Sequence, residues 1–173
     1  MAKARKQEVV LRFPATRARC PVGETTGRRC ATEGRIPVIS CEGACVRGEI
    51  ARQAANEVAR HAPYARGCHG EFFTVPGSAM AAWMRAARRV VVIDGCFLRC
   101  HARVLKKLLG NGKVVAIDAL PLYGKFTEVF AADAVPAATV RRTAQQVARR
   151  VLTRLRHGRG GAAGTTGRKH DGA

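Results

Sequence analysis

Acidic residues are scarce in this chain: 12 Asp and Glu stand against 31 Lys and Arg over 173 residues, a net charge of +19. Aromatics are scarcer still, with six Phe, two Tyr and one Trp. No apolar run approaches the roughly twenty residues that a membrane-spanning helix needs, so no membrane span is expected. The N-terminal "MAKARKQEVVLRF" carries charges but lacks the apolar stretch of about seven residues or more that precedes a small-residue cleavage site, and it does not read as a secretory signal. A cytoplasmic location is therefore expected. There the seven cysteines point to metal binding or catalysis before disulfides.

The two shortages bear on each other. Residues 1–35 hold nine Lys/Arg against three Glu, residues 136–173 nine against one Asp, and the hundred residues between them thirteen against eight. The charge sits mostly in the ends, which can touch phosphate backbones and other anionic partners non-specifically. The middle lacks the basic stripe interleaved with aromatics that single-strand binding uses, so specific nucleic-acid recognition is not expected.

What the sequence does have is a repeated unit. In "VVVIDGCFLRCHARVLKKLLG", Val90 to Ile93 is a short β-branched run of the kind found in central parallel strands. Gly95 permits a tight turn. From Phe97 onward Leu98, Val104, Leu105, Leu108 and Leu109 recur at helical spacing until Gly110, Asn111 and Gly112 end the helix. Cys96 and Cys100 are thus predicted at the mouth of a strand and in the first turn of the next helix, four apart and on one face. Cβ atoms at that spacing lie about 5–6 Å apart, and two thiolates on one tetrahedral ion roughly 4 Å apart, so rotamer changes close the gap. For this pair alone, buried structural cysteine explains as much.

The unit recurs at "IPVIS", Ile36 to Ser40, followed by "CEGACVRG" and a helix whose inward side is Ile50, Ala54, Ala55 and Val58. Cys41 sits at the mouth of this strand and Cys45 one turn on. Two strand–turn–helix units each bearing C-x3-C are hard to ascribe to chance. A third cysteine, Cys68 beside His69, either follows a short strand or precedes one at Phe72 to Val75. Ser78 is the expected N-cap of a helix carrying Trp83 and Met84 to Arg88, with both of those side chains on the sheet.

"KVVAID", Lys113 to Asp118, is another strand, "ALPLYGKF" a loop, and Val140 to Leu155 a helix with Val140, Ala144, Val147, Val151, Leu152 and Leu155 inward. The alternation predicts a three-layer α/β fold, a mainly parallel sheet flanked by helices in the Rossmann-like, doubly wound manner, over residues 36–156. Residues 1–35 are expected as a loose basic extension holding Cys20, Cys30 and a short strand at Val9 to Phe13, and residues 157–173 as a disordered Gly-rich tail.

Cys41, Cys45, Cys96 and Cys100, with Cys68, can converge above one sheet edge, and an all-thiolate site selects zinc or an iron–sulfur cluster. Arg47, Arg99, His69 and His101 stand beside the cysteines to offset the thiolate charge, and either histidine is itself a candidate ligand. Asp94 is expected to accept hydrogen bonds from the turn or to orient a ligand. An enzymatic alternative also starts at Cys41: "CEGACVR" looks like the oxyanion loop of cysteine-dependent phosphatases and arsenate reductases, with Cys41 as nucleophile, Arg47 on the oxyanion and Asp118 as acid. Gly48 stands where that loop has Ser or Thr, and the remaining cysteines are then idle.

From Ile36 to about Asp118 the sequence resembles the DGC-domain family, through "VISCEGACVRGEIARQAANEVAR", Cys68, "VPG" before a helix, and "VVVIDGCFLRC" with Asp94, Gly95 and Cys96 as the motif. The resemblance implies a cysteine metal site, with Cys41, Cys68, Cys96 and Cys100 on the family's chelating positions and Cys45 on a variable one. Zinc is the usual metal inferred for that family, and no reaction is implied. Family members follow the third cysteine with small apolar residues, whereas "CHGE" stands here. The second expectation is a [4Fe-4S] protein acting on small thiol or sulfur compounds.

Overall fold

A computed structural model describes residues 16–124 and 131–160, with Val10, Arg12 and Pro14. The elements run α1 (Pro21–Thr32), β1 (Ile36–Ser40), α2 (Val46–Ala59), β2 (Tyr64–Arg66), α3 (His69–Thr74), α4 (Ala79–Ala86), β3 (Val90–Asp94), α5 (Cys100–Leu109), β4 (Val114–Asp118), α6 (Leu120–Tyr123) and α7 (Ala137–Gly160). All strand pairs are parallel, in the order β2-β1-β3-β4. The three-layer α/β fold expected from the alternation is the one observed.

The strands sort their side chains between two cores because successive residues face opposite ways. Val38, Val91, Ile93 and Ile117 point into one core with α2 and α7, whereas Ile39, Val90, Val92 and Val114 point into the other with α4 and α5. The apolar rows assigned to α2 and α7 are buried at every position named above. Ser78 caps α4, its Oγ accepting from Ala81 N at 3.1 Å. Trp83 and Met84 are buried against the sheet.

The structure departs from expectation at four elements. Residues 21–32 are a helix, not a loose arm. Gly23 and Gly27 lower helix propensity, but a Cβ at Gly27 would run into the Ala79–Met80 backbone, so the small residue lets α1 lie on α4. Glu24 Oε1 accepts from Ala79 N at 2.8 Å, and Cys30 is buried in the second core. At the other end, α7 runs to Gly160, past the expected start of the tail. "ALPLYGKF" contains a short helix, α6, closed by Gly124 at φ 68°. Finally, α5 begins at Cys100 and not near Phe97. The Val9–Phe13 strand and the tail beyond Gly160 fall mainly or wholly outside the described residues.

The order of strands decides where a site can form. The β1–β2 crossover puts α2 on one face of the sheet, and the β3–β4 crossover puts α5 on the other. The chain therefore leaves β1 and β3 in opposite directions, opening a crevice above their C-terminal ends.

Candidate metal centre

Cys41 and Asp94 stand at the lip of that crevice. Cys41 N donates to Ile93 O at 3.0 Å, carrying the β1–β3 ladder one residue past the strand, and Ala119 N donates to Asp94 O at 2.8 Å on the other side. The first thiol of the β1 unit and the last carboxylate of β3 are thereby fixed by backbone. Gly43 N donates to Cys41 Sγ at 3.3 Å, and Gly95 N also points at it. Gly95 has to be glycine: a Cβ there would lie 2.6 Å from Arg47 O. The turn after β3 is packed directly on the start of α2.

Asp94 is 1% exposed. Its Oδ1 accepts from His101 N and its Oδ2 from Ala102 N, each at 3.0 Å. Asp94 thus accepts hydrogen bonds, as expected, and they come from the first turn of α5, where they hold the His101 backbone. Burial pushes its carboxyl up, opposed by these two N–H donors. Cys41, Asp94 and His101 offer one ligand atom each, all within 4.8 Å of one another. The Nδ1 of His101 is buried and without a hydrogen-bond partner among the described residues. His69 lies edge-on to the same ring, centroids 4.9 Å apart. Burial first, and the neighbouring imidazole of His101 second, hold His69 towards its neutral form. These donors suit a borderline metal ion.

The other cysteines do not join this group. Cys100 is exposed at the first residue of α5 and close enough for its charge to act on Cys41. Cys68 caps α3, its Sγ accepting from Glu71 N at 3.5 Å. The short strand β2 ends two residues before it, which settles the earlier choice of strand. Cys45 is the N-cap residue of α2, and Cys96 sits in the turn after β3. Cys96 and Cys100 are therefore not two positions on one helical face. Arg99 between them takes a left-handed conformation, φ 47° and ψ 48°, so the turn and not helical spacing relates the pair.

Burial also pushes the Cys41 thiol up, more than the Gly43 and Gly95 donors lower it. That is the opposite of the low-pKa thiolate that a phosphatase-type nucleophile requires. Around the crevice, Arg66 donates to Val38 O and Ser40 Oγ at 3.0 Å and to Glu42 Oε1 at 3.2 Å, a network not visible in sequence spacing. Tyr123 of α6 was also missed. Its hydroxyl is buried with no hydrogen-bond partner among the described residues, and burial pushes it up to about 12, with Arg47, Cys45, Asp118 and Cys96 acting on it.

No helix among the described residues is long and apolar enough to cross a membrane. No curated protein and no solved structure matches the chain. Residues 37–119, which contain both C-x3-C units, Cys68, Asp94 and His101, match the family model of the DGC domain, the family that the motifs resemble.

Proposed function

We propose that the chain is a zinc-binding protein whose ion sits above the C-terminal ends of β1 and β3. Its ligands are thiolates drawn from Cys41, Cys45, Cys68, Cys96 and Cys100, with His101 as a nitrogen donor. The observation behind this reading is the meeting of Cys41, Asp94 and His101 at the crevice, with the Nδ1 of that imidazole buried and without a hydrogen-bond partner among the described residues. A buried polar atom left unpaired costs about 1–3 kcal/mol, and a metal bond removes that cost. Both oxygens of Asp94 accept N–H donors from His101 and Ala102, so its part is to position His101.

Zinc accepts mixed sulfur and nitrogen donors, whereas a [4Fe-4S] cluster is held by four thiolates. The imidazole in the group favours zinc. When bound, zinc would supply a Lewis acid and, with an open position, a site for a small thiol. Elemental analysis and a visible spectrum of protein purified without oxygen test the reading. About one zinc per chain, lost in Cys41→Ser and reduced in His101→Ala and Cys100→Ser, is expected. Brown protein with several irons per chain would replace zinc by the cluster, and metal-free protein would overturn both.

A further inference from the structure

Six large hydrophobic side chains are exposed among the described residues, and four of them belong to one short stretch: Phe97 at 67%, Leu98 at 53%, Val104 at 47% and Leu108 at 57%. Their arrangement is regular. On α5, Cys100, Val104 and Leu108 follow one another at i, i+4 and i+8 and form a ridge on the outer side of the helix, and the turn before it leaves Phe97 and Leu98 exposed as well. Arg103 and Lys107 form a second ridge beside it at the same spacing, after Arg99 in the turn. Ala102 and Leu105 occupy the inner side and are buried. No acidic residue occurs between Gly95 and Lys113.

We infer that this double ridge is a docking surface for another protein, one that presents an apolar groove with an acidic rim. Anchors at i, i+3 or i+4 and i+7 are how a helix enters such a groove. A flanking row of like charge then selects an oppositely charged rim and speeds encounter. A second copy of this chain fits poorly, because two copies each carrying a net charge of +19 repel one another. A bilayer fits less well: interfacial helices bury a broad apolar face, whereas here the apolar row is one side chain wide and the opposite side of α5 belongs to the core. The ridge spans about 12 Å along the helix, an area suited to a transient partner. It starts at Cys100, so a docked partner would cover the mouth of the crevice. The surface itself stands without the metal.

A designed two-helix hairpin with a leucine-lined groove and a glutamate rim, carrying fluorescein, is the probe. Fluorescence anisotropy follows its titration with the full chain, metal-loaded and after chelation. Saturable binding is expected, at least about tenfold weaker in Val104→Glu/Leu108→Glu and in Arg103→Glu/Lys107→Glu, and absent for a hairpin with a lysine rim. Circular dichroism melts check that the variants fold, and Val104→Ser/Leu108→Ser replaces the first pair if it does not. No saturable binding, or binding that the ridge variants leave unchanged, overturns the inference. So does a ridge-dependent preference for vesicles of phosphatidylserine and phosphatidylcholine, or a ridge-dependent dimer in sedimentation. Metal content is read separately, so failure here leaves the zinc reading to its own test.

Discussion

The two C-x3-C units share a spacing and little else. In the β1–α2 unit, Cys41 is pinned by a backbone hydrogen bond to β3, and Cys45 is the N-cap residue of a helix with seven buried positions. A Cβ on Gly48 would press on Gly43 O, so loop and helix are locked together. In the β3–α5 unit, the turn carries Phe97 and Leu98 into solvent and the helix buries only Ala102 and Leu105. Asp94 and a left-handed Arg99 set its start. One unit is packed along most of its helix, and the other is held mainly at its turn and at two inward side chains.

The largest effect should come from the seam between the units. Gly95→Ala places a Cβ 2.6 Å from Arg47 O, and forcing that backbone apart should cost about 2–3 kcal/mol in urea unfolding and lower the metal content too. If Gly95→Ala left both unchanged, the units would not be packed as described. Next, Asp94→Ala removes the acceptor of His101 N and Ala102 N, a loss of about 2 kcal/mol, while Asp94→Asn should recover part of it. Hydrogen exchange should show the opening confined to the start of α5, with α2 unaffected.

Arg99→Gly works in the opposite direction. Relief of the left-handed conformation should stabilise the metal-free chain by about 1 kcal/mol, seen as a higher midpoint in urea. The smallest effect lies outside both units, at the α1–α4 contact. The Ala79 N–H, then Arg19 and Arg28, hold Glu24 below its ordinary value of 4.5. Its contribution is therefore complete above that value and is lost as pH falls through the lower folded value. Glu24→Gln should flatten that acid limb in a stability–pH series while leaving the metal content unchanged.

Much of this was legible beforehand. The strands β1, β3 and β4 and the helices α2 and α7 announce themselves through apolar periodicity, because each buries one side or both. Helix α1 does not, since Gly23 and Gly27 read as breakers until α4 and Glu71 are seen against them. The start of α5 was misplaced because Phe97 and Leu98 look like core residues and are exposed. The pairing of His101 with Cys41 has no sequence signature: sixty residues separate them.

By itself the sequence determined the parallel α/β architecture and the cysteines at the strand mouths, because these follow from periodicity and from residue chemistry within a few positions. Only the tertiary structure decided which groups meet. The crevice exists because the chain leaves β1 and β3 in opposite directions, and the approach of Gly95 to α2 sets its wall. Distance across a sheet is fixed by strand order and packing, and neither is written in local spacing.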